Sequence, residues 1–191
     1  MTPDPIDNKT KLHLGCGHDI KHGWINHDLI DLPGVDMVHD LNKYPWPIKD
    51  NSIDEVWAKD ILEHLPNTTK VMDELYRITK SGAKVYIAVP YWNSWEAWGD
   101  PTHVSQFNEY TFGFFESENP KCQNRPYYSK ARFTIDKIGF GICLFRPKIY
   151  LPFISRYRVI YNPFLKWIIS FLASYLNNII IGLEVHLIRD E

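Results

Sequence analysis

The chain has 191 residues, 45% of them hydrophobic, and a formal net charge of -2. This length and composition are typical of one globular domain, and a net charge near zero gives no support to a nucleic-acid-binding function. The three cysteines are odd in number and widely spaced, which argues against a disulfide framework and favours a reducing compartment. Because the polar start of the chain lacks the apolar stretch of a signal peptide, we expect a loose leader over residues 1–10 and a cytoplasmic protein.

Charge is distributed unevenly along the chain. Residues 1–120 contain 10 Lys and Arg against 19 Asp and Glu, whereas residues 121–191 contain 11 against 4. The last third is therefore basic, and it is also the most apolar part of the chain. This combination is found in membrane-contacting surfaces and in sites for anionic substrates, although an ordinary solvated basic face is commoner.

Short apolar runs alternate with turn and helix signals over the first hundred residues, the pattern of an α/β domain with a mainly parallel sheet. A helix capped by Thr68 or Thr69 and ended by Gly82 is predicted between the fourth and fifth strands. Its buried face is predicted to consist of Val71, Met72, Leu75 and Ile78. The five strands are predicted at KLHL, WINHDL, VDMVHDL, IDEVWAKD and AKVYIAVPY.

The second half of the chain begins with DPTHVSQFNEYTFGFFE, which predicts a loop leading into a short helix near Asn108. From Ala131 the composition becomes β-branched and aromatic, and strands are predicted at RFTIDKIGF and CLFRPKIYL with turns near Gly139 and Gly141. A helix is predicted after Pro163, and GLEVHLI is predicted to form the last strand.

The helix predicted after Pro163 is apolar on most sides. Its polar positions, Lys166, Ser170 and Ser174, form one narrow stripe. The segment is too short and too interrupted to span a membrane, yet such a helix has to be covered by something. Three covers stay open for residues 156–180: the protein's own sheet, a second subunit in a homodimer, or the surface of a membrane.

The segment LGCG follows the first predicted strand. Gly15 and Gly17 let the backbone turn tightly and approach a ligand. Asp28 ends the second predicted strand and Asp40 the third, so a parallel sheet places both acids beside this loop, at the edge where open α/β folds bind ligands. Asp28 is thus a candidate to bind ribose hydroxyls and Asp40, or its neighbour, to bind an adenine amino group, while ordinary turn residues are the plainer interpretation.

Four segments, in this order, resemble the class I methyltransferases that depend on S-adenosylmethionine, of the small methyltransferase-domain type. They are LHLGCG, INHDL, VHDLNKYPWPIKDNSIDEVWAKDILEHLPN and DELYRITKSGAKVYIAVPY. The resemblance implies a single α/β domain over residues 11–191 with a Rossmann-like, mainly parallel seven-stranded sheet whose last strand is antiparallel. Its parts would be a cofactor-binding half (11–90), an acceptor loop and lid (91–130), and C-terminal strands with the apolar helix (131–191).

The cofactor implied by this resemblance is S-adenosylmethionine. Its methionine and ribose portion would lie along Gly15, Cys16 and Gly17. Asp28 would bind the ribose, Asp40 with Leu41 the adenine, and Ala58 with Lys59 the methionine end.

The chain departs from the family at three points. His13 replaces the usual acid of the first strand, Asp19 takes the place of a third small residue, and the short spacing between Gly17 and Asp28 implies a shortened first helix. The same stretch disfavours a dinucleotide, since Ile20 stands where the third glycine of that fingerprint belongs and the acid comes too early.

The acceptor side is expected to be built by LEHL and PYWNSWEAWGDPTH, which follow the fourth and fifth strands. We predict His103 as the base that removes the acceptor's proton, with Asp100 as its catalytic partner, because an imidazole titrates near neutral pH. The plainer interpretation is that both residues only fix their loop by hydrogen bonds. The residues expected around a small-molecule acceptor are Glu63, His64, Tyr91 and Trp92.

No metal is expected from the sequence. Cys16, His18, His22 and His27 lie close together in the chain, but the glycines that flank His18 and His22 leave little room for a helix that would bring them together as zinc ligands. Two other classes of function stay open: a cofactor-binding protein without turnover, and a membrane-associated or dimerising module.

Overall fold

A computed structural model describes residues 9–142 and 157–191 of the chain. Most of the predicted leader and the whole of the predicted strand CLFRPKIYL lie outside these residues. The described strands form one eight-stranded sheet in the order β3-β2-β1-β4-β5-β8-β6-β7. They are β1 (Lys11–Leu14), β2 (Ile25–Asp28), β3 (Met37–Val38), β4 (Ile53–Lys59), β5 (Thr79–Pro90), β6 (Phe133–Ile142), β7 (Arg158–Ile160) and β8 (Gly182–Arg189).

The first five strands are parallel to one another, and β1 lies between β2 and β4. The last strand in the chain, β8, is inserted between β5 and β6 and runs antiparallel to both. The mainly parallel sheet with an antiparallel last strand is therefore confirmed. The described part of the chain has one strand more than the seven expected, because the short edge strand β7 pairs antiparallel with β6.

The helices are α1 (Thr68–Ile78), α2 (Trp95–Gly99), α3 (Pro120–Asn124) and α4 (Pro163–Ala173), with single 3₁₀ turns at Leu62–His64 and Phe112–Phe114. The predicted cap and end of α1 are wrong. Asn67 caps the helix, its side chain accepting a hydrogen bond from the Lys70 N–H at 3.0 Å. At the other end the chain passes from Ile78 into β5 at Thr79, so Gly82 lies within that strand.

The predicted buried face of α1 is confirmed. Its apolar side chains pack fully buried against the sheet in the main core: Val71, Met72, Leu75 and Ile78. Between β1 and β2, by contrast, residues 15–24 form turns, so the shortened helix expected there is absent from this described segment. The chain reaches β2 so quickly that the glycine loop is held by the ends of the neighbouring strands alone.

The turns predicted near Gly139 and Gly141 are also wrong, since β6 runs through both glycines. The strand pairs with β7 on one side and β8 on the other at this point. Side chains of Tyr157, Val159 and Tyr161 lie where a Cβ on either glycine would be. These glycines therefore mark a close approach of side chains over the sheet and not a change of direction.

Helix α4 turns its polar stripe inward together with Ala173 and Ile169, and its large aromatic and leucine side chains outward. The Lys166 Nζ donates a hydrogen bond to the Ile138 carbonyl at 2.7 Å, and the Ser170 hydroxyl donates one to Glu109 at 2.9 Å. The outward face is exposed, with Trp167 at 68% and Phe171 at 56% of their full accessibility. The rest of the domain thus holds this helix through these polar contacts and through the packing of Ala173 and Ile169, while much of its apolar surface has no cover within the described residues.

Across residues 9–142 and 157–191, none of the helices combines the length and apolarity needed to cross a membrane.

The turn after β1 is fixed by two left-handed glycines. Gly15 has φ +63° and Gly17 has φ +51°, a region that favours glycine. A Cβ on Gly15 would lie 2.8 Å from the side chain of Ile61, which follows β4, whereas a Cβ on Gly17 would meet nothing within 4 Å. Gly15 is thus constrained by both conformation and packing, and Gly17 by conformation alone.

Replacing Gly15 by alanine should destabilise the protein more than the same change at Gly23, which also has a positive φ (+77°) but open space around its Cα. We expect about 1–2 kcal/mol from the left-handed conformation in both variants and about 1–3 kcal/mol more from the clash at Gly15. Urea unfolding measures the difference. Shortening Ile61 in a Gly15→Ala, Ile61→Ala double variant should remove part of the excess cost, and equal destabilisation of the two glycine variants would contradict the packing argument.

Candidate functional site

The loops that follow β1 to β4 meet at one edge of the sheet, as the parallel order requires. They enclose a cavity of about 160 Å³. The predicted cofactor residues on its wall are Gly15, Asp28, Asp40 and Leu41, and it is closed from the β4 side by Ile61, His64 and Leu65. Four of the eight predicted cofactor residues are thus brought together around one space.

Asp28 ties the glycine loop to the end of β2. One carboxylate oxygen accepts a hydrogen bond from the Gly17 N–H at 2.7 Å, and the other accepts one from the Ile30 N–H at 3.0 Å. Because an ionised carboxylate has about four lone-pair positions, each oxygen keeps capacity for a further donor. The side chain therefore has the chemistry to accept a pair of hydroxyls while holding the loop.

Asp40 and Leu41 form the opposite wall of the same cavity. The Asp40 carboxylate accepts a hydrogen bond from the Asn42 N–H at 3.0 Å, which lowers the pKa of this exposed acid. Leu41 is buried, and its carbonyl accepts the indole N–H of Trp46 at 3.1 Å. An apolar side chain next to an acid suits the flat face and the amino edge of a purine.

The other predicted cofactor residues lie beside this cavity without lining it. The Cys16 thiol is buried under its loop, and burial raises its pKa. Ala58 is buried in β4, and the Lys59 side chain lies near Asp60 at 3.7 Å on the wall of a different cavity. His13 is buried within β1, where desolvation lowers its pKa, and its Nδ1 makes no hydrogen bond.

A second, larger cavity of about 630 Å³ adjoins the first at His64, which lines both. Four carboxylates lie on its wall, and the lining includes no Lys or Arg. These acids are Asp60, Glu63, Glu96 and Asp100. Burial raises the pKa of Glu96, and the neighbouring Asp60 raises it further. Such a lining favours a neutral or cationic occupant over an anionic one.

Glu63 lies at the base of this cavity with 2% of its surface exposed. Its Oε2 has no hydrogen-bond partner, and desolvation, with added repulsion from Asp60 and Asp100, raises the pKa of Glu63 to about 8. The Glu63 backbone carbonyl accepts hydrogen bonds from the Val104 N–H at 2.8 Å and the Ser105 N–H at 3.0 Å. The loop that carries His103 is thereby held against the 3₁₀ turn that carries Glu63.

Hydrogen bonds fix which nitrogen of each imidazole faces the cavity. The His103 Nδ1 lies 3.3 Å from the Ala97 carbonyl, which only accepts, so Nδ1 carries the proton and Nε2 keeps a lone pair. That Nε2 lies 4.0 Å from the Glu63 carboxylate. The Thr102 hydroxyl donates to Asp100 at 2.6 Å and therefore accepts from the His64 Nδ1 at 3.0 Å, leaving the His64 Nε2 with a lone pair as well.

The predicted catalytic pair thus divides into two roles. Asp100 accepts hydrogen bonds from both the hydroxyl and the backbone N–H of Thr102, which lowers its pKa and commits it to shaping the loop. In its neutral form, His103 instead presents a nitrogen with a lone pair to the cavity. Its ring centroid lies 4.7 Å from that of His64. Of the two, only His103 has a ring nitrogen that faces the cavity without a hydrogen-bond partner.

Tyr91 and Trp92, predicted around the acceptor, are not brought to this cavity. The Tyr91 hydroxyl donates a hydrogen bond to Glu109 at 2.7 Å, and both residues line a separate cavity of about 160 Å³ beside α4. The reason is that the chain at Tyr91 continues the direction of β5, pairing with Phe107, and so leads away from the His103 loop.

Sequence reasoning missed Asp60 in the lining of this cavity, and it included Trp95 and Glu96 only as members of the segment PYWNSWEAWGDPTH. Asp60 directly follows β4, as Asp28 ends β2, so the signal that selected Asp28 was available. Asp60 and Glu96 also line a third cavity of about 460 Å³, where Trp57 and Tyr86 stack with ring centroids 3.9 Å apart. The acid-lined cavity therefore opens onto an aromatic one.

The histidines near the start of the chain do not form a metal cluster. His18 and His22 are exposed, while His27 is buried with its Nε2 on the His39 carbonyl at 2.9 Å. Among the residues that the structure describes, Glu63, His64 and His103 are the group whose ligand atoms converge.

Comparison with known proteins agrees with this architecture. Residues 19–87 match the family model of a methyltransferase domain. No curated protein matches the chain.

Among solved structures, the chain is similar to a S-adenosylmethionine-dependent methyltransferase from Archaeoglobus fulgidus, with 17% identity over 95% of this chain and 86% of that one and a TM-score of 0.59. The chain is also similar to a S-adenosylmethionine-dependent methyltransferase from Thermotoga maritima, with 13% identity over 95% of this chain and 83% of that one and a TM-score of 0.56. A third similar structure is the [4+2]-cyclase SpnF, with 14% identity over 95% of this chain and 75% of that one and a TM-score of 0.54.

At these identities the structural matches establish the fold alone, which is that of the class I S-adenosylmethionine-dependent methyltransferases. Residues 19–87, less than half of the chain, are similar to a methyltransferase domain.

Proposed function

We propose that the protein binds S-adenosylmethionine in the cavity of Gly15, Asp28, Asp40 and Leu41 and transfers its methyl group to a small molecule in the acid-lined cavity. The observation that carries this proposal is the position of His64, which lines both cavities. Donor and acceptor would meet at this side chain. The family match and the methyltransferases among the structural neighbours support the cofactor.

The residues present fit this cofactor. The glycine loop brings its backbone to the cavity without side chains, Asp28 has free acceptor positions for the ribose hydroxyls, and Asp40 with Leu41 offers a polar edge and an apolar face for the adenine. When bound, S-adenosylmethionine supplies a methyl group on a positively charged sulfur. The protein's own task is then to align the two partners and to remove a proton from the acceptor.

On the acceptor side, the His103 Nε2 is placed to accept a hydrogen bond from an O–H or N–H group and to take its proton. The clamp between the Glu63 carbonyl and the N–H groups of Val104 and Ser105 holds that nitrogen in position. The absence of Lys and Arg from the described lining favours an acceptor that is neutral or cationic at its reacting end. The stacked Trp57 and Tyr86 offer a flat apolar surface for the rest of such a molecule.

Asp28→Ala should weaken the binding of S-adenosylhomocysteine, measured by calorimetry. Losing hydrogen bonds to a charged group costs about 1.5–3 kcal/mol, which corresponds to about tenfold or more in affinity. Asp31→Ala, an exposed acid close by, is the matched control and should bind normally. Unchanged affinity in Asp28→Ala would remove the ribose assignment.

His103→Ala should slow methyl transfer by about 10²–10⁴-fold while leaving the affinity for S-adenosylhomocysteine nearly unchanged, because His103 does not line the cofactor cavity. The measurement is release of S-adenosylhomocysteine with a panel of neutral and cationic acceptors. His22→Ala, at an exposed position, serves as the control. A fully active His103→Ala enzyme would exclude this residue from the reaction.

We further propose that the outward face of α4 rests on an anionic membrane surface. An exposed helix face rich in Trp, Phe, Tyr and Leu is suited to the boundary between headgroups and acyl chains. The excess of basic residues in the last third of the chain, 11 against 4, complements anionic lipid. The sheet does not cover this face, which favours lipid over the internal packing considered for residues 156–180.

Flotation with phosphatidylglycerol-containing vesicles should carry the protein upward, and less of it should float with purely zwitterionic vesicles or at high salt. A Trp167→Glu, Phe171→Glu variant should lose binding while remaining folded, because both side chains are exposed. Tyr127→Glu, equally exposed outside α4, should bind normally. If the protein floats with no vesicle, and light scattering shows a dimer that the Trp167→Glu, Phe171→Glu variant does not form, the face is assigned to a second copy of the chain.

A further inference from the structure

The cluster of Glu63, His64 and His103 has a property that proton transfer alone does not use. One ligand atom from each residue lies within 4.8 Å of the other two. The three come from two segments distant in sequence, the 3₁₀ turn after β4 and the loop after α2. Two imidazoles and one carboxyl group, gathered at one wall of a cavity, are a donor set that divalent transition metals bind once the groups are deprotonated.

In its neutral form, each imidazole has hydrogen bonds that favour the tautomer with Nε2 free for a metal. The Ala97 carbonyl holds the proton of His103 on Nδ1, and the Thr102 hydroxyl, itself oriented by Asp100, holds that of His64 on Nδ1. The Nε2 atoms are left with lone pairs. In metal sites, hydrogen bonds of this kind from the second ring nitrogen fix the ligand's orientation and raise its basicity.

Glu63 provides an independent indication. Its carboxyl group is 2% exposed, its Oε2 has no partner, and no Lys or Arg lies among the described residues around the cavity. A buried, unpartnered carboxyl is costly unless something compensates it. A cation between Glu63 and the two imidazoles would supply that compensation.

We propose that Glu63, His64 and His103 bind one divalent transition-metal ion, with its remaining coordination positions open to the acid-lined cavity. Ligand atoms around tetrahedral zinc lie about 3.3 Å apart, so binding draws the three side chains inward from their 4.8 Å spread. Three protein ligands with an open position are typical of catalytic, rather than structural, sites. Were the ion bound, His103 would be a ligand and not a free base, and the ion at its open position would lower the pKa of the acceptor's O–H or N–H group, which could then lose its proton to solvent.

This site goes beyond the proposed methyl transfer, because the ion would bind whether or not the chain turns over. Zn²⁺ is the probe. The full-length protein is treated with chelator, dialysed and titrated with Zn²⁺ in a calorimeter, and Co²⁺ is added separately to record the visible absorption of the bound ion. We expect one tight equivalent of metal and Co²⁺ bands typical of mixed nitrogen and oxygen donors.

Three variants locate the ion. Glu63→Gln and His103→Ala should each weaken binding by about a hundredfold or more, and Thr102→Val, which releases the tautomer of His64 without removing a ligand, by about tenfold. Circular dichroism checks that each variant is folded. A His18→Ala, His22→Ala double variant is the matched control, since it removes two exposed histidines outside the cluster, and it should bind Zn²⁺ like the unaltered chain.

Two results overturn the proposal. One is a protein that takes up no stoichiometric Zn²⁺ or Co²⁺, and the other is binding that survives Glu63→Gln and His103→Ala but is lost in the His18, His22 double variant. Neither result touches the proposed methyl transfer, which stands or falls on Asp28 and on the activity of His103→Ala. A protein that binds metal at the cluster but no S-adenosylhomocysteine would contradict the methyltransferase proposal and support the metal site.

Discussion

The parallel pairing of β1 with β2 on one side and with β4 on the other is the constraint on which both cavities depend. It brings the ends of these strands to one edge, and with them Gly15, Asp28 and Asp60. Because residues 15–24 contain no helix to support the loop, its shape rests on few contacts. These are the Asp28 carboxylate on the Gly17 N–H and the packing of Ile61 over Gly15.

A second constraint, the pair of hydrogen bonds to the Glu63 carbonyl, shapes the larger cavity. The N–H groups of Val104 and Ser105 both bond to the Glu63 carbonyl, so the loop after α2 cannot move without exposing them. This clamp encloses the carboxyl of Glu63 beneath the His103 ring. The stability of the loop and the chemistry of the cavity are therefore coupled, since the loop that these hydrogen bonds hold also buries Glu63, and burial raises the pKa of Glu63 to about 8.

Much of the fold could be predicted from the sequence because its signals are local. The buried stripe of α1, the alternation of strands and turns, and the acids at the ends of β2 and β3 follow from periodicity and from the geometry of parallel sheets. The ends of α1 could not be predicted, because a helix here passes directly into a strand and tertiary pairing outweighs the usual stop at Gly82. At Gly139 and Gly141 a glycine is compatible both with a turn and with close packing of side chains, so the sequence could not distinguish the two.

Part of the candidate site could also be predicted from the sequence. The residues at the ends of strands were identified correctly as lining one cavity. The separation of Tyr91 and Trp92 from His103 could not be predicted, because it depends on how the chain leaves β5, which no local pattern encodes. The tautomers of His64 and His103 depend on Thr102 and on the Ala97 carbonyl, which become neighbours only in the folded chain. The exposure of the large apolar side chains of α4 could not be predicted for the same reason, since a narrow polar stripe does not reveal which side of the helix faces the sheet.

The fold alone leaves the reaction open, since a [4+2]-cyclase has the same architecture. What distinguishes this chain is the charge around the cavity of Glu63, His64 and His103. Four acidic side chains and two imidazoles line it, while Lys and Arg are missing from the described lining. Its acids would repel an anion, whereas a cation, a metal ion or a neutral hydrogen-bond donor would be attracted. The lining of this cavity therefore limits the molecules that it can hold more narrowly than the fold does.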